Sequence, residues 1–470
     1  MRRDADDVGR AVLDDAAGGA ARGELDARGR EAIGLGEGVV ERLEGRLVGD
    51  ELVRMTTGRR VGSRALCASG GGITGIYFEM GALKCLADCL PPGALNAFDL
   101  YFGISAGAVL TGILANGYSI DEFMASIAGL GCERIPPVDL SLLKMSHVNL
   151  ASLAAPLETA TRAIAAGLAD LVRGRVSPSL SSLFLDYSDF LAAPFRADGY
   201  EAMLRYLFTR PGASNDFRKL PRRLFVGATD QDAREHVLFG EPGLDDVPIS
   251  LAIQASLSIN PAFSSTKIGE RYYVDGAVTR TSDFTEAIRR GADLIFVLDP
   301  LVPYVSKGTA GFASRRGILY NADQDIRTVS YTRFETTRRW VLRQHPEVSL
   351  YAFLPANRQR KVLSVNPMDH RPFLAVWRGA YLSTLQRIHL LRHKMCGDLA
   401  AHGLALDTAK AEAVAARLEA TPEPSFADFF PDGKVAVAKG MKPGRALRLA
   451  GAPPDEEVVC RAGERRPAVA

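Results

Sequence analysis

The stretch that most restricts this chain is Gly103-Ile104-Ser105-Ala106-Gly107, set between the apolar run Phe98 to Phe102 and the helix-like run Ala108 to Asn116. It reads as a strand, a very tight turn and a helix, with a serine at the tip. Side chains two residues before or after such a serine would clash, so both flanking positions are glycine. The following helix aims its positive N-terminal end at the serine, which favours the anionic intermediates of acyl transfer. In a chain with 45 glycines the five-residue pattern alone is not specific. Its surroundings have to carry the reading.

One strand upstream, Arg64 to Ser69 reads as a short buried strand, followed by Gly70-Gly71-Gly72-Ile73-Thr74-Gly75 and a helix expected over Ile76 to Leu90. As G-x-G-x-x-G this turn matches a dinucleotide fingerprint, whose ribose-binding acid would be Asp88. Asp88 falls inside the expected helix rather than at the end of a second strand. The better reading is a loop of glycine N–H groups, unshielded by side chains, converging on the oxygen of a tetrahedral intermediate. Two successive strands then end in an amide nest and an exposed serine, where open parallel sheets place their ligands.

Downstream, Arg223 to Asp230 reads as a buried strand and Glu235 to Phe239 as its short antiparallel neighbour. A helix is expected over Val247 to Ala255. Arg271 to Ala277 reads as a strand ending in Asp275-Gly276-Ala277. A carboxylate at a strand end, beside residues too small to crowd it, is a candidate general base for Ser105. Taken alone, Asp-Gly-Ala is an ordinary turn signal.

With 470 residues, 47% of them hydrophobic, the chain fits one large catalytic domain with appendages. A net charge of +2 with interspersed arginines gives no electrostatic case for nucleic acid. The six cysteines show no disulfide density and no C-x-x-C pair, and Cys85 and Cys89 read as helix thiols rather than metal ligands. The opening Met1-Arg2-Arg3-Asp4-Ala5-Asp6-Asp7 puts acids where a signal peptide needs its apolar segment. Val148 to Val172, interrupted by Glu158, Arg162 and Asp170, reads as an amphipathic helix rather than a membrane span. A cytoplasmic or peripheral-membrane protein is expected.

The ordered blocks Gly70-Gly71-Gly72-x-x-Gly75, Gly103-x-Ser105-x-Gly107 and Asp275-Gly276-Ala277 resemble the three signatures of the patatin-like phospholipase family. Ala228-Thr229-Asp230 and the segment Ala255 to Phe263 look like that family's landmarks before the aspartate. The likeness covers about Arg64 to Pro300, with family-like features to about Leu390. It implies a three-layer α/β/α fold with a mostly parallel sheet, and lipid acyl hydrolase activity without histidine, metal or cofactor. Ser105 would be the acylated nucleophile, Asp275 the base, and Gly70, Gly71 and Gly72 the oxyanion amides. The substrate would be a phospholipid or other acyl-ester lipid, met at a membrane surface. Two departures stand out. Thr74 occupies a place where many members carry Arg or Lys, and Asn260 stands in a turn that more often reads Ile-Pro.

The expected organisation is a polar, partly helical extension over 1–63, with a helix at Gly38 to Leu52, and a catalytic core over 64–300 containing a helical insertion or lid over 131–220. A mainly helical part over 301–405 and a helix with a flexible tail over 406–470 follow. In the C-terminal part a long helix is expected over Asp323 to Arg343, a strand over Val348 to Leu354, and helices over Phe373 to Arg392 and Thr408 to Glu419. Arg333, Arg338 and Arg339 read as a solvated helix face, with lipid phosphates as the alternative, while Phe334 and Trp340 are expected to pack. An α/β-hydrolase triad needs a histidine after the acid; His345, His370, His389 and His393 all follow Asp275, but none stands after a terminal core strand, and they read as surface or helix-face histidines. The alternative to a lipid acyl hydrolase is a non-catalytic or partner-activated lipid-binding protein that keeps the fold.

Overall fold

A computed structural model describes residues 62–131, 134–138, 195–436, 446–449 and 459–462, apart from 261, 307–310, 365–368, 370 and 432, with isolated positions elsewhere. The expected helix at Gly38 to Leu52, the run from Val148 to Val172, most of the 131–220 insertion, His370 and most of the tail after 436 lie outside the described residues.

Strand β1 (Ser63–Ala68) passes through the glycine loop into α1 (Gly72–Cys89), and β2 (Leu100–Ile104) passes through Ser105 into α2 (Ala106–Ala115). After α3 (Ile120–Ile127) and α4 (Asp198–Phe208), β3 (Arg223–Asp230) and β4 (His236–Phe239) form a hairpin. Then come α5 (Ile249–Leu257), β5 (Thr266–Ile268), β6 (Arg271–Asp275), α6 (Phe284–Arg289) and β7 (Ala292–Leu298). The chain continues with α7 (Ile318–Gln344), β8 (Ser349–Phe353), α8 (Asn357–Leu363), α9 (Phe373–Ala401) and α10 (Ala409–Ala420).

The sheet runs in the order β5-β6-β3-β2-β1-β7-β8, with β4 also paired to β3. The five strands from β3 to β8 are mutually parallel, whereas β4, β5 and β6 add antiparallel pairs at one side. Period-two alternation divides each central strand between two apolar layers. Leu66 and Ala68 of β1, with Leu294, Phe296 and Leu298 of β7, pack against α1, α2, α5 and α9. Ala65 and Cys67, with Ile295 and Val297, pack against α6 and α7 through Phe284, Ala287, Phe334 and Val341. Helices cover both faces, giving the expected three-layer α/β/α fold.

Several elements differ from the sequence expectation. Helix α1 begins inside the glycine loop, at Gly72 rather than Ile76, because glycine at a helix N-terminus supplies the turn that leads in. Helix α9 runs nine residues past its expected end at Arg392, because Met395 and Leu399 continue the buried stripe of Trp377, Tyr381, Leu385 and Ile388. Phe334 packs edge-on against Phe284, with ring centroids 5.6 Å apart. Trp340, expected to pack, is 63% exposed on the outer face of α7.

Asp88, the acid a dinucleotide site would have turned toward ribose, is buried on α1. It accepts from Lys84 Nζ at 2.9 Å and the Tyr381 hydroxyl at 2.8 Å, and pairs with Lys410 Nζ at 2.9 Å. These links, together with a Cβ position at Gly81 only 2.6 Å from the Trp377 carbonyl oxygen, bind α9 and α10 tightly over α1.

Candidate active site

The site forms where two strands meet head-on along β3. Strand β2 ends with Ile104 opposite Gly227, and β6, running the other way, ends with Asp275 opposite Ala228, the next residue of β3. The two strand ends are so close that a Cβ on Gly276 would stand 2.4 Å from the Gly227 carbonyl oxygen and 3.1 Å from Ile104 Cγ2. Ser105 and Asp275 therefore arrive at one place from positions 170 residues apart in sequence.

Ser105 has φ 54° and ψ −125°, one of two non-glycine residues with positive φ among those described. Such a backbone costs on the order of 1–3 kcal/mol and persists only where neighbours enforce it. Here they do. The Ser105 N–H donates to Ser256 Oγ at 2.7 Å, and that hydroxyl donates to the Gly227 carbonyl at 2.6 Å, so α5 pins the elbow to β3. The Gly107 N–H donates to the Ser69 carbonyl at 3.0 Å.

The glycine loop crosses directly over the serine: a Cβ on Gly70 would lie 2.9 Å from Ser105 Cβ and 3.5 Å from its Oγ. Gly72 takes φ +65°, which favours glycine. Among the described residues none accepts from the N–H groups of Gly70, Gly71 or Gly72. Under the loop, Gly71 and Gly75 lean on Pro300, whose carbonyl accepts from the buried guanidinium of Arg327 at 2.9 Å. Arg327 also donates to the Leu363 carbonyl at 3.0 Å, where the Thr74 hydroxyl donates at 3.3 Å. A cation from α7 thus supports a loop whose own sequence has threonine where the resemblance suggests a basic residue. Sequence reasoning missed Arg327 and Ser256 because neither carries a local signal.

Asp275 is wholly buried. Its Oδ1 accepts from the Ala277 N–H at 2.8 Å and its backbone carbonyl accepts from Thr229 Oγ1 at 3.0 Å. Among the described residues its Oδ2 closes no aligned hydrogen bond, yet the Ser105 hydroxyl stands near enough to favour the charged form. Burial outweighs Ser105 and the Ala277 amide and raises the carboxyl to about 6. A carboxylate of that basicity beside a strained serine and a loop of glycine amides has the chemistry to take a hydroxyl proton and stabilise an oxyanion.

Two further buried carboxyls lie behind the loop. Burial raises Asp299, at the end of β7, to about 7 against the opposing Leu301 amide and Arg327. Glu79 of α1 is raised well above the carboxylate range by burial and by Asp299, against the Ser69 amide. The folded chain therefore holds on Asp299 a proton that the unfolded chain loses near pH 4. Its contribution to stability is present below about pH 4 and is lost as pH rises to about 7. Asp299→Asn keeps the acceptor for Leu301 without a charge. Its unfolding free energy relative to wild type should rise between pH 4 and 7 by roughly 2–4 kcal/mol, read from urea melts at both ends. A constant difference across that range contradicts the buried proton.

Of the histidines in the alternative triad, His345 pairs with Glu347 and His389 with Glu412, both in the helical C-terminal part.

Residues 66–288 match the family described as Patatin-like phospholipase. This stretch is a patatin-like phospholipase domain. A segment of 75 residues is 37% identical to the cUMP-AMP-activated phospholipase of Escherichia coli, covering 16% of this chain and 22% of that protein. The chain thus matches about a fifth of that relative's length. Among solved structures, VipD from Legionella pneumophila aligns over 76% of this chain and 74% of its own, with 16% identity and a TM-score of 0.30. Full-length ExoU of Pseudomonas aeruginosa, in complex with SpcU, aligns over 78% and 70%, with 15% identity and a TM-score of 0.24. The patatin-like domain contains the glycine loop, the elbow and Asp275, and the supporting residues Pro300, Arg327 and Leu363 lie beyond its matched range.

Proposed function

We propose that this protein hydrolyses carboxylic ester bonds of phospholipids or related acyl lipids through a Ser105–Asp275 dyad, as a phospholipase A or lysophospholipase. The observation that carries this reading is the head-on meeting of β2 and β6, which brings the serine, the basic carboxylate and the glycine loop within one cluster. Asp275 takes the Ser105 proton as Oγ attacks the ester carbonyl carbon. The N–H groups of Gly70, Gly71 and Gly72 hold the oxyanion, and the alcohol leaves with the proton. Water then attacks the acyl-serine, Asp275 again taking a proton, and collapse releases the fatty acid as that proton returns to Ser105 Oγ.

Lipid access from a membrane surface fits the exposed Val278, just after the Asp275 turn, and Val329 and Trp340 on α7. Arg333 of α7 donates to the Val278 carbonyl, so helix and turn adjoin. Among the described residues no helix is long and apolar enough to cross a membrane. One observation favours the second reading, a lipid-binding or partner-activated protein: Ser105 is only 6% exposed. The E. coli relative is itself named for activation by cUMP-AMP.

The deciding experiment treats the full chain with a fluorophosphonate and offers it a panel of phospholipids, lysophospholipids and short-chain esters. The adduct mass is expected on the peptide carrying Ser105, with turnover of at least one acyl lipid blocked in proportion. An adduct elsewhere refutes the dyad. No adduct and no turnover favour the partner-activated reading.

A further inference from the structure

Behind Asp275 lies a chain of side chains with no place in the chemistry above, Thr229 and Asp283 buried and His236 and Thr279 half-buried. The register of the β3–β4 hairpin sets His236 opposite Thr229, while β6 sets Val274 opposite the same threonine. Thr229 Oγ1 donates to the Asp275 backbone carbonyl at 3.0 Å and lies 2.8 Å from Thr279 Oγ1. Thr279 Oγ1 in turn lies 2.9 Å from His236 Nδ1, and His236 Nε2 lies 3.0 Å from Asp283 Oδ1, a contact without the alignment of a full hydrogen bond. Asp283 is fully buried and the His236 side chain is 9% exposed. The cluster is packed onto β3 so tightly that a Cβ on Gly227 would fall 2.6 Å from Asp283 Oδ2 and 3.0 Å from His236 Cε1.

Counting hydrogens gives this chain a direction. Three links join the Asp275 carbonyl, Thr229, Thr279 and the imidazole, and each needs one hydrogen. The carbonyl can only accept, so Thr229 spends its one hydroxyl hydrogen there. Thr279 must then donate to Thr229, because Thr229 has nothing left to give. The third hydrogen has to come from the ring. A further 3.2 Å contact from Thr279 Oγ1 to the Gly276 carbonyl competes for the same hydroxyl hydrogen and supplies none.

We propose that His236 is a positioning residue that donates from Nδ1–H through Thr279 and Thr229 to the backbone carbonyl of Asp275, fixing the turn that presents the candidate base to Ser105. The Nε2 edge of the ring faces Asp283 Oδ1 across 3.0 Å. The other groups around the pair are Arg280, 3.7 Å from Asp283, with Glu286 beyond it, and the Cys67 thiol, which burial and Asp283 together raise. Arg333 closes the far side of the turn on the carbonyls of Ala277, Val278 and Thr279. A base held from its backbone on one side and from Arg333 on the other keeps its angle to the nucleophile. Misplacement on the scale of 1 Å costs reaction rate steeply.

This inference rests on Asp275 being the base, and its test separates the two. Nitrogen-15 NMR of histidine-labelled full-length protein, with the His236 signals identified by loss in His236→Gln, reads the ring independently of turnover. The expected result is a protonated, coupled Nδ1 at the pH of greatest activity. Thr279→Val, nearly isosteric, should lower kcat about tenfold with KM within about twofold, and Thr279→Ser should restore it. An unprotonated Nδ1, or wild-type kcat in a folded Thr279→Val protein, overturns the inference while leaving the dyad intact. Full activity in Asp275→Asn removes the dyad instead, and the ring state stays readable.

Discussion

Asp275→Asn is expected to lower kcat by about 10³-fold while leaving the protein folded. The amide keeps the Oδ1 acceptor that the Ala277 N–H uses and has nearly the same shape, so the turn survives. It cannot take a proton, and positioned general-base catalysis contributes on the order of 10²–10⁴ in rate. The wild-type pH profile belongs to the same prediction. Only the ionised carboxylate is a base, so kcat/KM should rise with pH through about 6, the value to which burial raises Asp275, and level off above it. The variant's residual rate should lose that limb. Loss of less than about tenfold in kcat, or an acid limb that persists unchanged in Asp275→Asn, would remove Asp275 from the mechanism.

Gly107→Ala should be equally severe for a different reason. Its Cβ would lie 2.4 Å from the Ala68 carbonyl carbon and oxygen and 2.5 Å from the Ser69 carbonyl oxygen, all backbone atoms. Ala68 belongs to β1, paired on both sides by β2 and β7, so it has no room to yield. Forced overpacking of this kind costs roughly 1–3 kcal/mol or more, and here it also breaks the Gly107 N–H contact that pins the elbow. Gly397→Ala is the matching control: nothing lies within 4 Å of its Cβ, and it sits inside α9. That substitution should be neutral or gain up to about 1 kcal/mol. Chemical denaturation of both variants checks the contrast, and similar midpoints for the two would mean that the elbow is not tightly closed.

The fold was legible because its strands alternate or run apolar and its turns are marked by glycine. The three blocks around Gly70, Ser105 and Asp275 were legible for the same kind of reason, since close backbone approach leaves few residue types that fit. Ser256, Arg327, Thr279 and His236 were not legible. Each meets the surroundings of the site through hydrogen bonds to backbone groups or neighbouring hydroxyls, a task that many residues perform and that leaves no local pattern. The reach of α9 was missed because Arg392-His393-Lys394 and then Gly397 resemble a helix end, while the buried Met395 and Leu399 carry it on. Trp340 was misread because an aromatic on an otherwise polar helix looks like a packing residue until its face is known.

The cover that α9 lays over α1 has a consequence for biosynthesis. Tyr381 meets Asp88 across 293 residues of sequence. At roughly 5–20 residues per second, a ribosome takes about 15–60 s to make the intervening chain. Through that interval the side of α1 that carries Tyr77 and the Lys84–Asp88 pair has emerged without its final neighbour, although the glycine loop at the head of the same helix is already complete. The first part of the candidate site to be synthesised thus opens a helix that is among the last to be sealed. The nascent protein's exposure to aggregation and proteolysis is governed by the pace of translation before it is governed by the stability of the finished fold.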